Sequence, residues 1–315
     1  MGNTVLIYSR FPKTMMARIA ERFELIDSEG RPPRDAFGAD QLGDVRAIIT
    51  AGGERLGAEA MDAMPGLGAI ICYGTGYDGV DRAAAAARNI AIGHSPAANA
   101  AAVADLAMTL LLALIRRLLP ADAYVRNGGW AAGKASPRAV PPLALTGRRV
   151  GVYGMGEIGK KIAARVSSFE TEVGYHSRPR HEVPYAYHDS LEALVDWCDV
   201  LMIAVRAGAD THHIIDAAML RRLGHSGVVI NIARGSVIDQ AALVAALQDH
   251  AIAGAGLDVF EVEPLVPDGL TALSNVVLTP HIGGHTAEAH IAMQDCVIEN
   301  LTAFFAGRAL RYPVG

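Results

Sequence analysis

The sequence predicts an α/β protein made of two doubly wound parallel-sheet domains, and three observations predict it. Short β-rich runs alternate with amphipathic segments along the chain, glycine and aspartate cluster where those runs end, and a second βα series starts afresh near residue 149. The 315 residues are roughly twice a typical domain. Their 51% hydrophobic content suffices for two cores.

The first series has strands expected at residues 4–8, 47–50 and 69–72, with helices at about 12–23 and 58–64 between them. Gly52-Gly53 and Gly74-Thr75-Gly76-Tyr77-Asp78 fall where strands end, the place at which open parallel sheets receive ligands. The same glycines also read as plain turn formers. A strand at 90–93 leads to a long apolar helix at 103–119, and the Pro- and Gly-punctuated stretch 127–145 reads as a connection. Strands then follow at 149–153, 172–176, 200–205, 228–232, 253–257 and 276–278, with a helix at 158–168 after the first of them. The last helix, about 286–305, is expected to return to the first domain and make it discontinuous.

Composition excludes several classes. A formal charge of -5 with no Lys/Arg-rich run offers no field for nucleic acid. The apolar stretch at 100–119 is broken by Asp105 and Arg116-Arg117, leaving about ten uninterrupted residues where a membrane span needs about twenty. The three cysteines, Cys72, Cys198 and Cys296, are far apart within apolar stretches and read as buried, reduced thiols. No basic, apolar leader opens the chain, so a cytoplasmic location is expected.

Gly154-Met155-Gly156-Glu157-Ile158-Gly159 directly follows the strand at 149–153 and opens a helix. In that setting the first glycine makes the tight turn, the second lets backbone approach a pyrophosphate, and the third allows close helix–sheet packing. The helix start supplies amide donors. About 20 residues further on, an NAD site would carry an acid for the ribose hydroxyls. Here the strand runs into Ser177-Arg178-Pro179-Arg180 with no carboxylate. A hydroxyl and two guanidinium groups suit a 2'-phosphate, which predicts NADP(H) with NAD(H) as the alternative. Arg178 and Arg180 also read as solvated loop charges.

Three polar features stand at the ends of later strands: Arg234 in NIARG, Asp258 and Glu263 in LDVFEVEP, and His281 in TPHIGG. Reduction of a 2-oxo acid needs a fixed cation for the carboxylate and carbonyl oxygen, and a proton donor for the nascent alkoxide. Arg234 supplies the planar fork of donors and His281 an exchangeable proton near pH 7. A carboxylate on the other ring nitrogen favours the charged imidazole, and Glu263 is the candidate. Asp258, nearer its strand, can contact cofactor or orient the site. Taken singly, each also reads as a turn residue or a surface ion pair; their order and spacing together carry the reading.

With these residues in place the chain resembles the D-isomer-specific 2-hydroxyacid dehydrogenases over essentially its full length. The likeness rests on ICYGTGYDGVD at 71–81, GMGEIG, NIARGSVID, GAGLDVFEVEP and TPHIGG. It implies a flavodoxin-like substrate domain of residues 1–98 and 287–315, a Rossmann cofactor domain of 99–286, and catalysis in an interdomain cleft. It implies that Arg234 binds substrate, His281 is the acid/base, Glu263 partners His281, and the amides of Gly74, Thr75 and Gly76, beside Tyr73, hold the substrate carboxylate. Further cofactor contacts are expected at Val205, Ile232, Asp258 and Gly283. A homodimer involving the helix at 103–119 is also implied.

Within the family, the SRPR segment is similar to the NADPH-dependent glyoxylate/hydroxypyruvate reductase branch, whose relatives include hydroxyphenylpyruvate reductases. Thr75 stands where phosphite-oxidising relatives carry lysine, which argues against phosphite. Ser95-Pro96-Ala97-Ala98-Asn99-Ala100 departs from the commoner hinge. Tyr73, Arg55, Trp130 and the end of the last helix are the candidates for side-chain selectivity. Two alternatives stay open: an NAD-dependent dehydrogenase of larger or aromatic hydroxy acids, and a nicotinamide-sensing regulator on the same fold.

Overall fold

A computed structural model describes residues 4–135 and 142–314. Its first elements are β1 (Thr4–Ile7), α1 (Lys13–Ala20), β2 (Glu24–Asp27), α2 (Pro33–Ala36), α3 (Ala39–Gly43), β3 (Val45–Thr50), α4 (Ala58–Asp62), β4 (Ala69–Cys72), α5 (Arg82–Ala87) and β5 (Ala91–Gly93). Then come α6 (Ala100–Ile115), α7 (Leu118–Arg126), β6 (Arg149–Tyr153), α8 (Glu157–Ser167), β7 (Glu172–His176), β8 (Ala186–Tyr187), α9 (Leu191–Trp197) and β9 (Val200–Ile203). The chain closes with α10 (Ala217–Leu223), β10 (Val228–Asn231), α11 (Gln240–Gln248), β11 (Gly254–Leu257), α12 (Asp268–Thr271), β12 (Val276–Leu278) and α13 (Ala287–Phe305).

These elements form two units, Met1–Asn99 with Gly284–Gly315, and Ala100–Gly283. In the first, five parallel strands run in the order β2-β1-β3-β4-β5. β1 and β4 are buried throughout, which is why they read as unbroken apolar runs rather than alternating ones. Leu6, Ile48, Ile70, Met61 and Met64 form part of their core. The helix α13 packs on α1 and β4 within this unit, and the Thr286 hydroxyl caps it by accepting from Ala289 N.

The second unit holds seven parallel strands in the order β12-β11-β10-β9-β6-β7-β8. The order reverses at β6, the first of the series, as in a doubly wound nucleotide fold. The helix α6 is apolar on nearly all sides and lies over the sheet, where Gly256 gives it room: a β-carbon there would stand 3.0 Å from that of Leu110.

The structure adds one strand and corrects one helix end. The segment Glu24–Asp27 is a strand that polar residues conceal; it lies at the sheet edge, where burial does not demand an apolar run. The helix expected to reach residue 119 stops at Ile115, because Arg117 takes a left-handed φ of 50° and a separate helix, α7, starts after it. Of the connection at 127–145, residues 136–141 lie outside the described residues.

Cys72 and Cys198 are buried, and burial pushes both thiols up to about 12, so neither is a thiolate at neutral pH. No helix among the described residues is long and apolar enough to cross a membrane.

Candidate active site

The second unit presents its functional side chains at one edge, where its parallel strands end. After β6, Gly154 turns the chain with φ of 99°, and a β-carbon at Gly159 would lie 1.9 Å from the Gly154 carbonyl oxygen. Helix and turn can close only on glycine. At Gly156 a β-carbon would meet nothing within 4 Å, so this glycine faces open space. The helix α8 begins there without a side-chain cap. A glycine-lined hollow with uncapped helix amides fits a pyrophosphate. Val205 stands close by, its Cα 2.8 Å from the position a Gly154 β-carbon would take.

At the end of β7 the Ser177 side chain is buried and its hydroxyl donates to the Pro179 carbonyl at 2.7 Å. That bond folds the turn and leaves Arg178 and Arg180 exposed, with Arg180 lying 5.5 Å over the Tyr187 ring. The hydroxyl proton is therefore committed to the loop, and the guanidinium groups are the cations available to a phosphate.

After β10, the buried Asn231 holds the following turn at both ends. Its Nδ2 donates to the Arg234 carbonyl at 2.9 Å and its Oδ1 accepts from Ala233 N at 3.0 Å. Gly235 is required next to it, since a β-carbon would sit 1.9 Å from the Phe260 carbonyl carbon. The turn bearing Arg234 is thereby seated against the segment that carries Glu263.

Glu263 and His281 meet directly, His281 Nδ1 standing 2.7 Å from Glu263 Oε2. The other oxygen of Glu263 accepts from Phe260 N at 3.2 Å. Burial opposes the Glu263 charge, but the His281 hydrogen bond and charge, the Phe260 N–H and the Arg234 guanidinium together hold its carboxyl below the usual glutamate value. The carboxylate is thus ionised at neutral pH and accepts the Nδ1 proton of His281. His281 itself takes φ of 53°, a conformation its surroundings must impose.

Residues 108–283 match the model of the D-isomer specific 2-hydroxyacid dehydrogenase NAD binding domain. The chain belongs to that family. It is 41% identical over 273 residues to a 2-ketogluconate reductase of Gluconobacter oxydans, covering 86% of each protein. It is 37% identical to a hydroxyphenylpyruvate reductase of Plectranthus scutellarioides, covering 93% of each. An NADPH-dependent glyoxylate/hydroxypyruvate reductase of Sinorhizobium meliloti, solved with NADP and malonate, superposes with a TM-score of 0.93 at 39% identity, over 100% of this chain and 97% of the other.

In this D-2-hydroxyacid dehydrogenase the packing of the second unit sets how several expected cofactor contacts are presented. Met155 and Ile232 bury their side chains in the core beneath the sheet edge, at 1% and 7% exposure, so only their backbones can face a ligand. Asp258 is 1% exposed and both its oxygens are occupied: Oδ1 accepts from Thr279 Oγ1 at 2.7 Å and Ile282 N at 2.8 Å, and Oδ2 accepts from Gly283 N at 2.8 Å. It orients the His281 loop through these three bonds. Gly283 likewise commits its N–H to that carboxylate.

In the first unit of the dehydrogenase, the loop after β4 carries Gly74, Thr75 and Gly76. Gly74 has φ of 127°, and no hydrogen bond among the described residues uses the N–H of any of the three as donor. Their N–H groups are therefore not spent within the described fold. Thr75 donates its hydroxyl to Asn99 Oδ1 at 2.9 Å, and Ser95 N donates to the Gly74 carbonyl at 2.8 Å, so the unusual residues at 95–99 brace the loop. Tyr73 is buried, its hydroxyl 3.3 Å from His290 Nδ1 and 3.2 Å from the His290 carbonyl, which ties the start of the loop to α13. Trp130 is 63% exposed and Arg55 exposed, so neither is core.

Asn231 and Thr279 are positioning residues that the motifs alone do not reveal. Their signal was present: a polar residue ending a buried strand needs a hydrogen-bond partner, and in both cases the partner is the backbone or carboxylate that sets a functional loop.

Proposed function

We propose that this dehydrogenase reduces small 2-oxo acids of the glyoxylate and hydroxypyruvate type to D-2-hydroxy acids with NADPH. The observation that carries the reading is the Glu263–His281 hydrogen bond, set at the same sheet edge as Arg234 and the glycine-lined hollow.

When bound, the reduced nicotinamide supplies the hydride. The Arg234 guanidinium binds the substrate carboxylate and polarises the carbonyl oxygen. Because Glu263 holds Nδ1 of His281, the proton delivered to the alkoxide leaves from Nε2. Glu263 stays ionised and steadies the imidazolium before that transfer. The amides of Gly74, Thr75 and Gly76 are proposed as a second hold on the substrate carboxylate. Arg178 and Arg180 are proposed to bind the 2'-phosphate, since the strand end lacks the acid that would favour NAD. The Sinorhizobium relative, named for NADPH and solved with NADP, supports this choice.

The likeness to a 2-ketogluconate reductase favours a second reading, a longer hydroxylated 2-oxo acid at the same site. A homodimer is proposed as well: α7 has no buried residue and leaves Leu118, Leu119 and Val125 exposed, an apolar face suited to a second copy. A cytoplasmic location completes the proposal.

The deciding experiment follows the loss of reduced-nicotinamide absorbance with glyoxylate, hydroxypyruvate, 2-oxogluconate and phenylpyruvate, each with NADPH and NADH. Turnover of the small acids with NADPH supports the proposal. Turnover limited to 2-oxogluconate or phenylpyruvate moves the substrate to a longer chain, NADH preference refutes the phosphate assignment, and no turnover refutes the reductase reading.

A further inference from the structure

Outside the residues used above, the second unit gathers two histidines and a glutamate at the rim of the same loops. His213 Nε2 lies 2.5 Å from Glu261 Oε1. The rings of His212 and His213 stack with centroids 3.9 Å apart and planes 26° apart. One ligand atom from each of His212, His213 and Glu261 lies within 4.8 Å of the others.

Neighbouring side chains in an extended segment point to opposite sides. These two rings share a side because His213 takes φ of 50°, in the left-handed region that non-glycine residues enter at a cost. The turn is held from behind, His213 N donating to the Ser236 carbonyl at 2.8 Å. A hydrogen bond accounts for His213 and Glu261. It does not account for a second imidazole brought to the same spot, whose nitrogens have no hydrogen bond among the described residues.

We propose that His212, His213 and Glu261 form a binding site for a borderline divalent transition ion, with zinc as the type. Two imidazoles and one carboxylate suit zinc, cobalt and nickel rather than magnesium or calcium, and leave coordination positions for water. Zinc–nitrogen and zinc–oxygen bonds of about 2.1 Å require ligand atoms roughly 3.4 Å apart. The exposed His212 ring swings inward to reach that spacing, while His213 and Glu261 spread slightly as the ion replaces the shared proton.

Occupation restrains the segment that presents Glu263. Glu261 N is held by Gln240 Oε1 at 3.3 Å, and Phe260 N holds Glu263 Oε1 at 3.2 Å, so drawing the Glu261 side chain toward an ion shifts the backbone between those two bonds. Bound metal therefore slows turnover. That consequence rests on the proposed reductase reading; the binding does not.

The test uses the untagged full-length chain, stripped with EDTA and titrated calorimetrically with zinc chloride in the absence of substrate. One equivalent is expected to bind, and His212→Ala is expected to weaken binding by at least about tenfold through loss of one of three ligands. His212→Ala should keep metal-free activity while losing the EDTA-reversible inhibition. Cobalt should give the visible absorption of a low-coordinate site in the wild type and not in the variant. Absence of binding up to about 1 mM, or unchanged binding by His212→Ala, overturns the site; full turnover of the zinc-loaded wild type overturns the regulatory consequence. An inactive protein would refute the reductase reading alone, because the titration contains no substrate.

Discussion

The backbone N–H of Gly283 donates to Oδ2 of Asp258 at 2.8 Å, tying the loop after β12 to the end of β11. With Thr279 Oγ1 and Ile282 N on Oδ1, and His281 N donating to the Asp258 carbonyl at 2.8 Å, one buried residue holds the His281 loop at four points. A buried polar group must find hydrogen-bond partners. Here that requirement sets the histidine against its glutamate.

Asp258→Ala removes those side-chain bonds and strands a hydroxyl and two amides in a buried place. Leaving a buried donor unsatisfied costs about 1–3 kcal/mol, so with three stranded a loss of about 3 kcal/mol or more is expected by denaturant titration. In protein that remains folded, kcat should fall about 10²-fold from misplacement of His281, with NADPH affinity kept. Asp258→Asn, which preserves shape and one acceptor, should recover part of the rate; wild-type kcat in Asp258→Ala would refute the positioning role.

His281→Ala should lower kcat by roughly 10² to 10⁴, the range for a general acid. Arg234→Lys keeps a charge but loses the planar fork, so it should raise KM and lower kcat together. Both are read by steady-state kinetics, and near-wild-type turnover in His281→Ala would remove the histidine from the mechanism.

The Glu263 carboxyl sits below its ordinary value of 4.5 in the folded protein. A depressed carboxyl contributes stability that is present above the unfolded value and is lost as pH falls through the folded one. The stability difference between wild type and Glu263→Gln should therefore be steady above about pH 5 and shrink as acid is added below 4.5. Urea titrations at several pH values measure it; a difference that grows on acidification would reverse the assignment.

Arg178→Ala combined with Arg180→Ala should raise KM for NADPH about 100-fold, as two charge-assisted contacts of about 1.5 kcal/mol each imply. KM for NADH should hardly change. An equal rise for both cofactors would place the arginines elsewhere than on the 2'-phosphate.

What could be read without coordinates follows a physical division. β4, β6, β7 and β12 end where the residue pattern places them, because each is short, apolar or β-branched and bounded by turn formers. β2 could not be read this way: at a sheet edge its pairing comes from β1 and not from its own side chains. The break at Arg117 was equally hidden, since a left-handed residue in a helical pattern leaves no periodic trace.

The sequence by itself determined the two βα series, the glycine fingerprint and the strand ends that bear Arg234, Glu263 and His281, because these depend on local periodicity and backbone freedom within a few residues. Tertiary structure alone decided which polar groups pair. Asp258 serves the loop of Gly283 across 25 residues, Tyr73 meets His290 across 217, and His213 meets Glu261 across 48. A buried polar group must find a partner, but separation along the chain does not say which; only the packing of the parallel strands and their loops brings those partners within hydrogen-bond reach.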